Sequence, residues 1–351
     1  MQLLKKVAHD YRAKMVAQKM ISFIPGRMGF KVNQFMTNLS RRGESDHIDI
    51  KSRFLKGIDN IKKIKKCTPK EFTLSEKTVL EIGTGWHGED LLIFYCLGAR
   101  KIITIDHYQH LTFKSVMNSA KALNDADVVK AFHSVYPSSV LIEKIAHLEQ
   151  ILGQANSLSD ILEALSVSYI IMSSGEYKNF EIEDSLDLVY SESVLQRIPE
   201  RHLHDLFEAM RTHLNQDAIS FHRTDQKDIN SQDHADEKLW PLHYLKYSEL
   251  MWQAMQCRFN YQNRLRESDF ISLLAGYTPP MCIESYCRDG DIKRLESIKL
   301  ATKFQGKSME DIAVRSSIFI CKYSSGETTG MEDEVNRNVN RSQYARHLSA
   351  R

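Results

Sequence analysis

Apolar residues recur at helical spacing from the start of the chain. Leu3, Leu4, Val7, Tyr11 and Met15 alternate with basic residues. An apolar stripe of this period predicts an amphipathic helix over 1–24, stopped by Pro25-Gly26. A second helical stretch is expected over 31–42, ending at Gly43, and a third, Lys-rich, over 48–66. Pro69 then separates this arm from the rest. From Lys77 the pattern alternates between short β-branched runs and helical stretches. Thr78–Ile82 reads as a buried strand, 90–97 as an apolar helix ended by Gly98, and Lys101–Ile105 as a second strand, which is a βαβ unit with parallel strands. Residues 112–165 read mostly as helix, with a polar-rich segment at 141–165 that would lie outside the sheet. Further strands are expected at 169–172, 185–190 and 218–222, with a helix over 200–214. Residues 223–262 lack a clear period and read as an insertion of short helices. A helix at 268–274 and two last strands at 282–286 and 316–321 follow. The polar residues 324–351 are expected to be a disordered tail.

The most informative segment is Val79-Leu80-Glu81-Ile82-Gly83-Thr84-Gly85-Trp86-His87-Gly88. A buried strand runs into a glycine turn that opens a helix. Glycines permit positive φ and a close approach of ligand to backbone, and free N–H groups at a helix start favour an anionic group. Asp106 follows at the end of the next strand, where a carboxylate can accept hydrogen bonds from both hydroxyls of a ribose. Together the two elements specify a nucleoside-type ligand. Gly83-x-Gly85-x-x-Gly88 also fits the dinucleotide fingerprint. Against NAD stand Glu81 on the strand and the bulky Trp86 and His87, where a pyrophosphate needs close backbone approach.

The segment Ser185-Leu186-Asp187-Leu188-Val189-Tyr190-Ser191-Glu192-Ser193-Val194-Leu195-Gln196-Arg197-Ile198-Pro199 separates the two. It resembles the fourth-strand motif of the class I S-adenosylmethionine (SAM)-dependent methyltransferases, a "DLV" strand followed by a "VLxHI" helix start. The Glu81-x-Gly83-x-Gly85 turn resembles that family's first motif, and the resemblance spans residues 75–323. It implies an α/β, Rossmann-like sheet of seven mainly parallel strands with a closing antiparallel hairpin, preceded by the helical arm and interrupted by insertions near 135–165 and 223–262. It implies SAM as the cofactor, with Gly83 and Gly85 facing its methionine part and Asp106 its ribose. Glu81, Thr84, Trp86, His87, Ser191 and Glu192 are expected around it, and Glu176 near the adenine. Arg197 stands where the family has its histidine. Asp187 reads as structural.

On the acceptor side, the expected fifth strand ends in Phe221-His222-Arg223-Thr224-Asp225-Gln226-Lys227-Asp228, and Asn263-Arg264-Leu265-Arg266-Glu267-Ser268-Asp269 follows later. These blocks are similar to those of bacterial stand-alone methyltransferases associated with polysaccharide or secondary biosynthesis, which implies a small-molecule or glycan acceptor, methylated on oxygen. His222 is the candidate general base, since imidazole titrates near neutrality. Asp225 would orient it, and Asp228, Asn263 and Arg264 would bind the acceptor. The alternative for His222 is a hydrogen-bonded residue at a strand end. For Arg264 and Arg266 it is pairing with Glu267 or Asp269. Trp240, Tyr244, Tyr247 and Trp252 read as sugar-stacking residues or, alternatively, as a small core of the insertion. His222, Asp225, Asp228, Asp233 and His234 match no metal-binding motif, so no metal is assigned.

Charge adds one feature. The net charge is +2, but residues 1–70 carry +12 and the remainder −10. Such an arm would suit an anionic partner, such as a membrane surface, nucleic acid or charged glycan, or else be a solvated helical face. The "NPPY"-type tetrapeptide of amino-methylating nucleic-acid enzymes is absent, which argues against a nucleic-acid acceptor. The six cysteines have no zinc-finger or CxxC spacing. With no signal-like or membrane-spanning run, a soluble, reducing, cytoplasmic setting is expected. The alternatives are an NAD(P)-dependent oxidoreductase or a non-catalytic SAM-binding module.

Overall fold

The computed structural model describes residues 11–25, 28–29, 31–33, 46–68, 72–136, 138–231 and 240–323. The expected tail over 324–351, most of the helix over 31–42, the first ten residues and Asp233 and His234 lie outside the described residues. Helices α1 (Tyr11–Ser22) and α2 (Asp46–Cys67) precede the sheet. The chain continues through β1 (Thr78–Ile82), α3 (Glu89–Cys96), β2 (Lys101–Asp106), α4 (Phe113–Ala120), α5 (Ala126–His133), α6 (Ser138–Gln154), α7 (Leu158–Ala164), β3 (Val167–Ile171), β4 (Leu186–Glu192) and α8 (Glu200–Arg211). It closes with β5 (Leu214–Asp225), α9 (Glu249–Met255), α10 (Glu267–Ala275), β6 (Pro280–Tyr286), α11 (Asp291–Glu296), α12 (Met309–Ala313) and β7 (Ser316–Lys322).

The strands form one seven-stranded sheet in the order β3-β2-β1-β4-β5-β7-β6. Strands β1 to β5 pair in parallel. β7 lies antiparallel between β5 and β6. The expected parallel sheet with a closing antiparallel pair is therefore present. All five residues of β1 are buried, as a strand covered on both faces requires.

Alternate residues of each strand enter two separate cores. One face carries Val79, Ile102, Leu188, Tyr190, Ile219 and Phe221 against α2, α3 and α4 to α7. The other carries Leu80, Ile82, Ile103, Ile105 and Val189 against α8 and α10. The segment read as a polar excursion, 141–165, contributes Leu141, Leu148, Ile161 and Leu165 to the first core. Phe54, Ile58, Ile61 and Ile64 of α2 are buried in that same core. Lys-rich as it is, α2 is therefore a structural layer. Truncating Phe54 to alanine would cost about 3–5 kcal/mol.

The insertion has its own small core. Trp240, Leu242, Tyr244, Leu245 and Trp252 pack with Leu295, Phe304, Ile312 and Ala313 from between β6 and β7. Of the two readings of these aromatics, core residue is the one the structure supports for Trp240, Tyr244 and Trp252, since all three are buried. No helix among the described residues is long and apolar enough to cross a membrane.

Candidate active site

The glycine turn and Asp106 meet at the carboxyl edge of the sheet. The sheet order places β2 and β3 on one side of β1 and β4 on the other. The chain thus reverses direction across β1, which makes a crevice where ligands of open α/β sheets bind. Gly83, Gly85 and Gly88 all have positive φ, at 88°, 68° and 67°. Their surroundings differ. A Cβ on Gly83 would lie 2.3 Å from Cγ2 of Val194, so the strand end and the β4 loop approach too closely for any side chain. A Cβ on Gly85 would meet nothing within 4 Å among the described residues. Gly85 therefore faces open space, and its N–H donates to Oδ2 of Asp106 at 3.1 Å. Oδ1 of Asp106 accepts from the Tyr108 N–H at 3.3 Å. Asp106 is only half-buried, so it keeps lone pairs for a ligand.

Behind the turn, a hydrogen-bonded chain links the hydroxyls of Thr84 and Thr104 (2.5 Å) to Oε2 of Glu81 (2.6 Å). Glu81 is buried, and burial together with Asp90 pushes its pKa well above the usual carboxylate range. These residues brace the turn from within. Trp86 stacks on His110 with ring centroids 4.3 Å apart. His107 packs edge-on against Tyr108, and Tyr169 Oη donates to the Tyr108 carbonyl at 3.3 Å. Desolvation lowers the pKa of both His107 and His110, which favours neutral rings. This aromatic wall beside Asp106 was missed in the sequence apart from Trp86. Its only sequence signal is the run His107-Tyr108-x-His110 directly after the strand. His87 is half-buried in the turn.

On the β4 side, Glu192 is a hub. Its Oε1 accepts from Lys56 (2.5 Å) and from the Ser193 hydroxyl (2.9 Å). Its Oε2 accepts from Nδ2 of Asn60 (2.8 Å) and lies 3.5 Å from Nε of Arg223. Asn60 also donates to the Tyr190 hydroxyl (2.7 Å), which reaches Oδ1 of Asp90 (3.3 Å). Asn60 is fully buried, and its Oδ1 has no partner among the described residues. Burial and the neighbouring Glu89 raise the Asp90 pKa well above the ordinary range. Gly57 lets α2 approach this cluster, since a Cβ there would lie 2.7 Å from Oδ1 of Asp90. None of the α2 residues was expected at the site. The available signal was Asn60 on an otherwise apolar helix face, four residues before Ile64. Ser193 adds local strain, with φ at 59°.

Other expected site residues lie elsewhere. Ser191 is fully buried, and its hydroxyl is 2.9 Å from Nδ1 of His222. His222 lies across from Ser191 in register and packs edge-on against Phe207 of α8. Alternation sends both side chains toward the α8 core, away from the face carrying Glu192. Desolvation lowers the His222 pKa to about 3. Of the two readings of His222, the hydrogen-bonded strand-end residue is the one its burial, its bond to Ser191 and its contact with Phe207 support. Glu176 is exposed, and its Oε2 accepts from the Ser173 N–H at 2.6 Å in a capping box. The hydrogen bonds from Ser173 hold its pKa below the ordinary value.

Asn263 and Arg264 are also corrected. Nδ2 of Asn263 donates to the carbonyls of Leu195 and Ile198, both at 2.9 Å. Its Oδ1 accepts from the Leu265 N–H. Arg264 is buried, with its guanidinium 5.2 Å from each of the Trp252 and Phe304 ring centroids. It donates to the Tyr247 carbonyl (2.7 Å) and to Glu249 (2.5 Å). Arg266 is clamped on the carbonyls of Gln226, Ile312 and Val314. Neither arginine pairs through its side chain with Glu267 or Asp269 as the simpler reading supposed. Asp228 is buried 3.4 Å from Nε2 of His243. Asp225 stays half-buried at the end of β5, accepting from the Lys227 N–H at 3.0 Å. Asp187 accepts from Lys77 and from the Thr78 N–H, which ties β4 to the start of β1.

No protein-family model matches the chain, and no curated protein matches it. Solved structures resemble it. One is a putative SAM-dependent methyltransferase from Listeria monocytogenes, at 12% identity over 76% of this chain and 98% of that chain, with a TM-score of 0.38. Another is a SAM-dependent methyltransferase from Mesorhizobium loti, at 9% identity over 75% and 96%, with a TM-score of 0.39. A third is the N-methyltransferase NodS from Bradyrhizobium japonicum WM9, at 8% identity over 76% and 95%, with a TM-score of 0.36. Likeness at this level carries no argument about the reaction. The sheet order decides the fold by itself. The sheet has the seven strands and the closing antiparallel pair that the class I methyltransferase resemblance implies. The dinucleotide-binding fold instead runs in the order 3-2-1-4-5-6, without an antiparallel strand between its last two members.

Proposed function

We propose that the protein is a SAM-dependent methyltransferase acting on a small-molecule or glycan acceptor, with oxygen as the atom methylated. The observation that carries the cofactor half is the joining of Gly85 and Asp106 at 3.1 Å on the edge of β1 and β2, with open space at the Gly85 Cα. The surrounding groups suit SAM. Asp106 can accept from the ribose hydroxyls. Trp86, His107 and His110 supply flat surfaces, which attract cations and heteroaromatic rings. The Asn60 Oδ1, without a partner among the described residues, and the carboxylate of Glu192 beside it suit a ligand that carries positive charge.

Bound SAM would supply a methyl group already activated by its sulfonium. The chain's own task is to orient the acceptor and exclude water, which can account for several kcal/mol of the barrier. Val194, packed on Gly83, and the strained Ser193 fix the β4 loop beside the turn. With His222 withdrawn, Asp225 is the remaining group at the end of β5 proposed to accept a hydrogen bond from an acceptor hydroxyl. The acceptor class rests on the sequence blocks at 222–228 and 263–269.

The test is mass spectrometry of ligand retained through native purification, followed by a methyl-transfer screen with glycans and metabolites. Co-purified SAM or its product S-adenosylhomocysteine (SAH), with label transferred to a hydroxyl compound, is the expected result. A retained dinucleotide would overturn the cofactor half. Label on nitrogen alone would overturn the oxygen half.

A further inference from the structure

Helix α1 has two apolar sides. Met15 is buried against the body of the protein. On another face, Val16, Met20 and Phe23 follow at i, i+4 and i+7 and so form one stripe. They are exposed by 60, 68 and 77%. Met28, just beyond, is exposed by 68%. The helix is held in place rather than loose. Lys19 Nζ donates to the Gln256 carbonyl (2.7 Å), Asn260 Nδ2 to Oε1 of Gln18 (3.1 Å), and Arg258 to the Ile24 carbonyl (2.5 Å). α9, which packs against α1, presents two further exposed apolar residues, Leu250 and Met251.

Exposure this high describes side chains that stand out from the surface, not ones that line a groove. The sequence that carries the stripe is basic, while Glu249 begins the neighbouring α9. From Tyr11 to Asn33 the chain carries five basic residues, Arg12, Lys14, Lys19, Arg27 and Lys31, and no acidic one. A second copy would bring a basic sequence against an identical basic sequence, a like-charge penalty. Protruding apolar side chains on a basic helix match the interface of an anionic lipid bilayer, where the apolar groups enter the acyl boundary and the cations meet the headgroups.

We infer that α1, with Val16, Met20 and Phe23 at its centre, docks the protein on an anionic membrane surface. The stripe supplies insertion and the basic arm supplies selection for negative headgroups. α1 contacts α9 and the turn at 229–231, both of which follow the carboxyl end of β5. Docking therefore brings the lipid surface to the region beside the active-site edge. The inference does not depend on the methyltransferase reading.

The test is flotation of the full chain with vesicles of phosphatidylcholine alone or phosphatidylcholine mixed with phosphatidylglycerol. The wild type is expected to float only with the mixed vesicles, and salt at 1 M, where the Debye length falls to about 3 Å, to release most of it. The variant Met20→Glu/Phe23→Glu is expected to bind those vesicles about a hundredfold more weakly. It should keep the wild-type melting temperature and ligand affinity, which shows that it is folded. Failure of the wild type to float, equal flotation on phosphatidylcholine alone, or unchanged binding by the folded variant would overturn the inference. So would sedimentation showing a dimer that the variant dissolves, since the face would then join two copies.

Discussion

The turn around Gly85 and the segment around Arg264 both carry polar residues from the sequence motifs, yet they use them in opposite ways. At the turn, the backbone N–H of Gly85 and the carboxylate of Asp106 meet in a place that stays open. In the segment around Arg264, Asn263, Arg264 and Arg266 are buried and bonded to carbonyls and aromatic rings. The first region is built around something the chain does not itself contain, and the second around itself.

The sharpest break in this comparison comes from Arg266. Arg266→Ala should lower stability by about 3–5 kcal/mol in urea unfolding, because it strands several buried carbonyls. SAH affinity of the folded fraction should hold. A loss of affinity without loss of stability would put Arg266 at the site after all. Asp106→Ala should behave in reverse, weakening SAH by about 2–4 kcal/mol, or roughly 30- to 1000-fold, with a smaller change in stability.

His222 tests the comparison through pH. Its folded pKa of about 3 lies below the ordinary value of 6.5. The unfolded chain therefore takes up a proton below pH 6.5 that the folded chain refuses, and stability falls as pH drops from there toward 3. At pH 5 the contribution is about 2 kcal/mol. His222→Gln should flatten the stability profile between pH 7 and 5 relative to wild type. A catalytic His222 would instead move the pH profile of turnover and leave stability alone.

The smallest stability effect separates two glycines. Gly85→Ala should cost about 1–2 kcal/mol for its positive φ and yet abolish measurable SAH binding, because its methyl group enters the open space. Gly83→Ala should cost more stability than Gly85→Ala, because Val194 must also move. Equal stability losses would remove Val194 from the account.

The fold was largely legible because its signals are local. Strand β1, the turn and Asp106 lie within one βαβ unit, where period and glycine placement are enough. Strand β5 was read as five residues but runs from Leu214 to Asp225, since pairing with β4 begins it at Leu214 and pairing with β7 carries it on to Asp225. The site was legible only where its residues follow the strands directly. Asn60 and Lys56 reach Glu192 across more than 130 residues of chain, a relation that no spacing rule encodes. His222 was misread because a strand-end position gives the residue but not its face. Its register opposite Ser191 sends it toward α8.

Calorimetric titration of SAH and of NADH into the wild type and into Asp106→Ala bears most directly on the central claim. The account expects saturable SAH binding by the wild type, much weaker binding by the variant, and no heat from NADH. Saturable NADH binding with no response to SAH would contradict it.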